Sequence, residues 1–391
     1  MTIDGTSLSF LTSERGAVLL DDLRTADLSE ANTLALVSKL RKRYSATETG
    51  TGLSLARLRQ KAEAKFGADA QALFFTDDAL QQASDPLVRR YRAQSMGGLR
   101  VLDVGCGIGA DSIAFARAGA QVHGIDIDPV RIDMARLNAA ALGLRIDFSV
   151  QDAHEIDTRD YDLVFFDPAR RAANGKRIYD VERYIPPLSL IRQWQAPQIM
   201  VKLSPGVDLA QLTDYDGLLR FIGVNGDLKE ALLHVGIDQI GTVAVRLQAD
   251  AVYEWQRKTD EPVLMCAEPQ SWLCEPDPAI IRAGLVRELA LEQAGLLLDE
   301  QIAYFTTAQK PDSVWLRAWQ ILEWMPFNLK RLRAALRARD IGPLTVKKRG
   351  SPITPEVLKA KLKLKGSQAA TVVMTRYQDA PIVMICAEQP T

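Results

Sequence analysis

Two kinds of hydrophobic pattern divide the chain at about residue 97. Between residues 28 and 96, apolar residues such as Val37, Leu40 and Tyr44 recur at helical spacing, without the alternation typical of strands. From residue 99 onward, short apolar runs alternate with amphipathic helical stretches. The change predicts a helical N-terminal domain at 1–96, followed by an α/β domain at 97–249.

The α/β region contains strand-like runs separated by helical stretches. The runs are 99–104, 121–126, 146–150, 162–167 and 198–203, and the helical stretches are 110–119, 129–143 and 181–194. Alternation of this period is typical of a parallel, Rossmann-like sheet with helices on both faces. Two further runs, 231–236 and 242–247, are too close for a crossover helix, so we expect them to form an antiparallel terminal hairpin.

The regular alternation stops after residue 249. We interpret 250–325 as a connecting region, in which 279–295 has a helical pattern. Residues 326–391 return to regular patterns and predict a small α/β module. Its expected elements are a helix at 327–339, a strand at 343–348, a helix at 354–364, and strands at 370–376 and 381–387.

Composition excludes several classes of protein. The 391 residues carry a formal net charge of -1, and the four cysteines form no CxxC pair. With three histidines in the chain, a zinc finger, another metal site or a disulfide framework is not expected. No secretory leader and no 18-residue apolar window are recognised, so we expect a cytoplasmic protein without a membrane partner.

A glycine-rich loop follows the first strand directly, in the segment DVGCGIGAD. Gly105, Gly107 and Gly109 let the backbone turn sharply and approach a ligand closely. The next helix begins near Ala110, so its free amides face the same space. The loop therefore predicts a nucleotide-type cofactor.

Acidic residues at successive strand ends narrow the choice of cofactor. Asp103 precedes the loop, Asp126 with Ile127 ends the second strand, and Asp152 with Ala153 follows the third. These positions suit the amino-acid end, the ribose and the base of S-adenosylmethionine. A dinucleotide-dependent dehydrogenase would explain the glycines and Asp126, but neither Asp103 nor the order of the acids.

Four ordered segments, VLDVGCGIGADS, GIDIDP, QDA and FFDPARR, resemble class I S-adenosylmethionine-dependent methyltransferases over 97–250. The flanking segments at 74–93, 326–336 and 344–350 resemble a bacterial subgroup with a C-terminal THUMP-like domain. The resemblance implies a class I methyltransferase sheet, S-adenosyl-L-methionine as cofactor, and methyltransferase activity.

In related enzymes the motif after strand four places an acceptor amine, which here assigns Asp167 and Pro168 to catalysis. The sequence departs from that motif at Ala169 and lacks a following aromatic residue, which makes N6-adenine DNA methylation less favoured. Lys202 ends the fifth strand and is a third catalytic candidate, although a surface lysine is the simpler interpretation. No cysteine follows strand four or five, so carbon-5 pyrimidine methylation is disfavoured.

Basic residues suggest a polyanionic substrate. Arg170 and Arg171, with Lys176 and Arg177, could grip phosphates, or they could be solvated or paired with Asp167. Between residues 327 and 366, twelve lysines and arginines stand against two acids. Such a patch is typical of phosphate-backbone binding. The substrate-binding candidates there are Arg333, Arg337, Lys347, Lys348 and Arg349.

The leading hypothesis is methylation of a base nitrogen in structured RNA, either tRNA or rRNA. True THUMP domains bind RNA, so this inference rests partly on analogy. A small-molecule methyltransferase with an incidental basic tail is the alternative. A non-catalytic RNA-binding protein is the third hypothesis, and the acids at the strand ends argue against it.

Overall fold

The computed structural model describes residues 3–170, 178–257 and 260–388. Contacts divide the chain into two compact units. The first unit holds residues up to 219 together with 229–241 and 247–250, and the second holds 220–228, 242–246 and 251 onward. The four-part division at 96, 249 and 325 stays a prediction.

The described part of the N-terminal region is helical, as predicted. Local signals fix its helix starts: Ser45 and Glu48 form a reciprocal capping box, and Asp85 caps a helix that has Pro86 at its first position. Leucines such as Leu19 and Leu55 are fully buried. The helices are α1 (Gly5–Thr12), α2 (Glu14–Arg24), α3 (Thr33–Leu40), α4 (Ala46–Phe66), α5 (Asp77–Gln82) and α6 (Pro86–Ala93).

A parallel sheet follows, and its five predicted strands and the helices predicted at 110–119 and 129–143 are confirmed. Within it Val104 pairs with Ile125 and with Phe166, so the carboxyl ends of neighbouring strands lie at one edge. The elements are β1 (Arg100–Val104), α7 (Ala110–Arg117), β2 (Gln121–Asp126), α8 (Pro129–Ala141), β3 (Asp147–Val150), β4 (Leu163–Phe166) and β5 (Gln198–Leu203).

The predicted pairing of 231–236 with 242–247 is wrong. An unrecognised strand lies between them in the sheet, whose order is β3-β2-β1-β4-β5-β7-β6-β8-β9. Asn225 and Gly226, both with positive φ, form the tight turn of the actual hairpin, and Asn-Gly is a strong signal for it. These strands are β6 (Gly217–Val224), β7 (Asp227–Val235), β8 (Gly241–Gln248) and β9 (Ala251–Gln256).

The helical stretch predicted at 181–194 is not an α-helix. Two short 3-10 helices, Val181–Arg183 and Leu188–Gln193, occupy it. Pro186 and Pro187 lie between them, and a proline disfavours helical geometry in the residue before it.

The second unit contains a seven-stranded sheet with the order β11-β12-β10-β13-β16-β15-β14. Strands in the predicted connecting region were missed, and the helix expected at 279–295 is divided near Gly284. The elements are β10 (Trp272–Pro276), α9 (Pro278–Arg282), α10 (Val286–Glu292), β11 (Leu296–Asp299), β12 (Ile302–Thr307), β13 (Leu316–Pro326), α11 (Leu329–Ala338), β14 (Ile341–Lys348), α12 (Pro355–Leu362), β15 (Gln368–Tyr377) and β16 (Ala380–Ala387).

Side chains from strands that are not neighbours in this order contact each other, so the second sheet is strongly curled. Lys347 of β14 pairs with Glu275 of β10 at 2.6 Å, and Arg376 of β15 pairs with Asp299 of β11 at 3.3 Å. Helices α11 and α12 pack on the sheet through buried leucines such as Leu332 and Leu358.

Asn138 of α8 joins three segments of the first unit. Its side chain accepts a hydrogen bond from the Phe74 amide at 2.7 Å and donates to the carbonyls of Phe74 and Ile108 at 3.2 and 3.0 Å. The side chain is buried, so it connects the N-terminal segment to the glycine loop without help from solvent.

Replacing this residue should therefore destabilise the chain. We expect Asn138→Ala to lower the free energy of unfolding by about 2–4 kcal/mol, because one buried and two partly buried backbone groups lose their partner. Asn32→Ala, which removes one exposed hydrogen bond, should cost less than about 1 kcal/mol. Urea denaturation of both variants measures the difference, and equal costs would contradict the connecting role.

Candidate active site

The glycine loop lies between β1 and α7, where two of its glycines are sterically required. A Cβ on Gly105, which has φ +77°, would meet the Asp167 carbonyl oxygen at 2.9 Å. Gly109, with φ +81°, precedes α7, and a Cβ there would lie 3.2 Å from the Phe148 ring. The close approach of the loop to the end of β4 therefore depends on glycine.

Asp126 lies at the end of β2 and is held by backbone amides. Its carboxylate accepts from Gly107 N–H and from Asp128 N–H, both at 3.0 Å. The guanidinium of Arg131 lies 3.9 Å away. Next to it Ile127 leaves 72% of its surface exposed, so an acid and an apolar side chain stand together at this strand end.

Asp152 follows β3 and is organised by His154, which sequence reasoning missed. One carboxylate oxygen accepts from His154 N–H at 2.9 Å and lies 2.7 Å from its Nδ1. The backbone hydrogen bond from His154 lowers the pKa of Asp152. Ala153 between them is buried. A histidine two residues after an acid was the available signal.

Asp167 and Lys202 form an ion pair at the ends of β4 and β5. Lys202 Nζ lies 2.6 Å from Asp167 Oδ2, and its side chain is only 6% exposed. The simpler interpretation of Lys202 as a surface lysine is therefore wrong. Pro168 is buried behind Asp167, whereas Asp167 keeps a quarter of its side chain accessible.

A second cation, Arg92 of α6, lies fully buried near these strand ends. It pairs with Asp111 of α7 at 2.5 Å and with Glu230 of β7 at 3.1 Å. Since β7 runs antiparallel to β5, with Ala231 opposite Leu203, Glu230 also lies at the carboxyl edge. We call the following six residues the buried charge network: Arg92, Asp103, Asp111, Asp167, Lys202 and Glu230.

Asp103, the last but one residue of β1, is buried within this network. Ser112 Oγ donates to its carboxylate at 2.5 Å. Burial raises the pKa of Asp103 to about 8, and the charges of Asp111 and Asp167 also raise it. The hydrogen bond from Ser112 and the charge of Arg92 act in the opposite direction. The carboxyl is thus poised to ionise when a cation arrives.

The predicted substrate arginines after β4 are only partly described. Arg170 is half-buried, and its carbonyl accepts from the Ile178 amide at 2.8 Å. Arg171, Lys176 and Arg177 lie outside the described residues. Among the residues the structure covers, Lys202 is the cation paired with Asp167.

The basic candidates of the second unit differ in their surroundings. Arg333 and Arg337 donate to the carbonyls of Lys361 and Lys363 at 2.5 and 3.4 Å. Lys348, at the end of β14, is exposed to solvent.

Two further basic candidates make internal contacts. Lys347 pairs with Glu275 and lies 4.5 Å from the Trp319 ring centroid, and Arg349 lies 5.1 Å from that of Tyr304. These two side chains are therefore already engaged within the protein.

Within 3–170, 178–257 and 260–388, no group of three or more histidines, cysteines or acids is placed to hold a metal ion. In the same ranges, no helix is both long enough and apolar enough to cross a membrane.

The strand order β3-β2-β1-β4-β5-β7-β6, a glycine loop after β1, and acids at the ends of β1 and β2 and after β3 together define a class I methyltransferase fold. Family models agree with this assignment. A methyltransferase domain matches residues 101–173, a "THUMP domain-like" model matches 316–388, and a domain of unknown function matches 4–62.

Whole-chain relatives extend the comparison. An "Uncharacterized S-adenosylmethionine-dependent methyltransferase" of Mycobacterium tuberculosis is 36% identical over 330 residues, covering 82% of this chain and 90% of its own. A ubiquinone biosynthesis O-methyltransferase of Shewanella is 40% identical over 82 residues, 20% of this chain and 35% of its own. A Porphyromonas gingivalis W83 crystal structure, assigned as a methyltransferase, shares the fold with TM-score 0.76 and 19% identity, covering 93% and 99% of the two chains.

The chain belongs to the S-adenosylmethionine-dependent methyltransferases. Its cofactor is S-adenosylmethionine, which supplies an electrophilic methyl group on a sulfonium when bound. The residues present fit this group: the loop at Gly105 leaves no room for a side chain, and a buried acid, Asp103, lacks an ion-pair partner of its own among the described residues. Asp103, Asp126 and Asp152 would hold it.

Titration of Asp103 should appear in stability. In the unfolded chain this carboxyl ionises near its ordinary pKa of 3.8, whereas in the folded chain it ionises near 8. Its contribution to stability is therefore present below about pH 4 and is lost as the pH rises to about 8. Without cofactor, the free energy of unfolding of Asp103→Asn relative to the parent chain should increase by at least about 2 kcal/mol when the pH is raised from 5 to 8.

Denaturation at the two pH values measures this gain. Asp157→Asn is the control, because hydrogen bonds from Arg159 lower the pKa of Asp157 to about 2 and leave it ionised throughout the interval. A gap between parent and Asp103→Asn that does not change with pH would contradict the raised pKa.

Cofactor binding and methyl transfer should separate at two acids. We expect Asp126→Ala to weaken S-adenosylmethionine binding at least about tenfold, since a hydrogen-bonded carboxylate is lost. Asp167→Ala should bind the cofactor within about threefold of the parent but lose transfer. Calorimetry and a radiolabel transfer assay measure the two effects. Equal loss of affinity in both variants would overturn these assignments.

Proposed function

We propose that the enzyme methylates structured RNA, tRNA or rRNA, at a base nitrogen. The carrying observation is a basic surface on the second unit, formed by exposed cations of α11, of α12 and the residues after it, and of the end of β14. Arg333 and Arg337 bring the two segments together through the carbonyls of Lys361 and Lys363. The exposed cations are Lys330, Arg331, Arg337, Lys348, Lys359, Lys361, Lys363 and Lys365.

Only Asp340 and Glu356 oppose this charge between residues 327 and 366. A local excess of ten positive charges in a nearly neutral chain suits the regularly spaced phosphates of a polynucleotide. The surface lies within the stretch that matches the THUMP domain-like family model. The analogy with true THUMP domains supports RNA as the polynucleotide.

Asp167 supports the assignment of the acceptor. Lys202 occupies its Oδ2, while a quarter of the side chain remains accessible. The carboxylate can therefore accept a hydrogen bond from an acceptor N–H and so orient the nitrogen lone pair. It can also take the proton that the nitrogen loses after methylation.

A hydroxyl oxygen is the second candidate acceptor, and Lys202 favours it. An ammonium group 2.6 Å from Asp167 stabilises negative charge that develops beside the carboxylate. An acceptor hydroxyl could donate its proton to Asp167 while its oxygen faces Lys202. A cation at this place would instead disfavour the positively charged product of an amine.

Transfer of labelled methyl groups tests the proposal. Purified enzyme and radiolabelled S-adenosylmethionine are added to total RNA from a strain lacking this gene, with DNA and a metabolite extract in parallel. We expect label in one RNA size class, and digestion to nucleosides then separates base from ribose methylation. Label confined to the metabolite extract would show that the substrate is a small molecule and that the basic surface does not bind it as a polynucleotide.

Neutralising the basic surface should weaken RNA use without affecting the cofactor. With Lys348, Lys359, Lys361 and Lys365 changed to Gln, KM for RNA should rise about tenfold or more. The slope of log affinity for RNA against log salt concentration should become less steep by about two or more, because fewer counterions are released on binding. Control changes to Gln at Arg136, Arg145, Arg159 and Arg192, exposed cations of the first unit, should alter KM less than about threefold. An equal effect of both sets would contradict a specific basic surface.

A further inference from the structure

Arg92 lies outside every segment that sequence reasoning linked to the cofactor, yet its charge acts on Asp103, one of the acids that would hold the cofactor. We propose that Arg92 is a positioning residue for the cofactor site. From α6 it holds the first turn of α7 in place, and that turn orients Asp103. The inference concerns the cofactor alone and does not depend on which acceptor is methylated.

The connection consists of direct contacts. Arg92 Nη2 lies 2.5 Å from Asp111, the second residue of α7. The next residue, Ser112, donates from its hydroxyl to Asp103 at 2.5 Å. Two hydrogen-bonded steps therefore separate the guanidinium from the acid expected to meet the ammonium group of the cofactor.

Other contacts fix Arg92 itself. Glu230 of β7 accepts from its Nη1 at 3.1 and 3.4 Å. The guanidinium also lies 4.8 Å from the ring centroid of Phe165 in β4. That ring packs edge-on against Phe115 of α7 at 5.2 Å. The arginine thus ties α7 to two strands of the sheet.

The charge of Arg92 matters as well as its contacts. Asp103 is faced by Asp111 and Ser112 from α7, by Asp167 from β4 and by Arg92 from α6. Burial raises the pKa of Asp103 most, and Asp111 raises it further. Without Arg92 the Asp111 carboxylate would be uncompensated, so Asp103 would hold its proton more tightly and attract a cation less.

Four variants test this chain of contacts: Arg92→Met, Asp111→Asn, the double variant and Ser112→Ala. S-adenosylmethionine dissociation constants come from calorimetry at pH 7, and carbon NMR follows the Asp103 carboxyl in the cofactor-free protein. We expect Arg92→Met to weaken binding at least about tenfold and to raise the Asp103 titration midpoint by about one pH unit, a tenfold change in proton affinity. Ser112→Ala should weaken binding about fivefold or more, since it removes a hydrogen bond to a charged group.

The double variant separates positioning by charge from simple loss of structure. Asp111→Asn removes the carboxylate whose charge raises the pKa of Asp103 most, whereas Glu230, the other partner of Arg92, keeps its charge in both variants. Arg92→Met with Asp111→Asn should therefore bind within about threefold of Asp111→Asn alone. Arg90→Met, at an exposed arginine of the same helix, should change nothing beyond threefold. If Arg92→Met fails to fold, the test is the comparison of S-adenosylmethionine affinity between the double variant and Asp111→Asn. The proposal is overturned if the double variant folds but binds at least tenfold more weakly than Asp111→Asn, or if Ser112→Ala leaves affinity and titration unchanged.

Discussion

Burial of charge at the carboxyl edge of the parallel sheet is the constraint on which the proposed active site depends. The buried charge network places four carboxyl groups beside two cations in a region with little solvent. An isolated buried ion is costly, so each of these groups is stable only while its partners hold their places. Arg92 pairs with the carboxylates from α7 and β7, and Lys202 pairs with the carboxylate at the end of β4.

The imbalance within that network suits the cofactor. With all six groups ionised, the network would carry two more negative than positive charges. Burial raises the pKa of Asp103 to about 8, so this carboxyl keeps its proton near neutral pH and the excess negative charge is smaller. S-adenosylmethionine bears two positive centres and one carboxylate, and its ammonium group at Asp103 would take the place of the proton that this carboxyl retains. The site is thus organised in advance for a positively charged ligand. In the cofactor-free protein, protonation of Asp103 reduces the cost of burying its negative charge.

The acids at this edge could be located from the sequence because each lies at the end of an apolar strand-like run, as Asp103, Asp126 and Asp167 do. Arg92, Asp111 and Glu230 could not, since they are far apart in sequence and only the packing of α6, α7 and β7 brings them together. Lys202 was noticed, but only packing decides whether a strand-end lysine is buried. The missed β6 has a different cause: its Asn-Gly turn was visible, but the neighbouring apolar runs were paired by their short spacing instead.

The position of Arg92 in the chain bears on how such enzymes are inherited. The matched methyltransferase domain begins at residue 101 and ends at 173, so neither Arg92 nor Glu230 belongs to it. A recombination event that moved the central domain alone would carry Asp111 into a new protein without its cation. Loss or exchange of the N-terminal helices therefore requires simultaneous change at Asp111 and Glu230, and we expect these helices and the sheet to be inherited together.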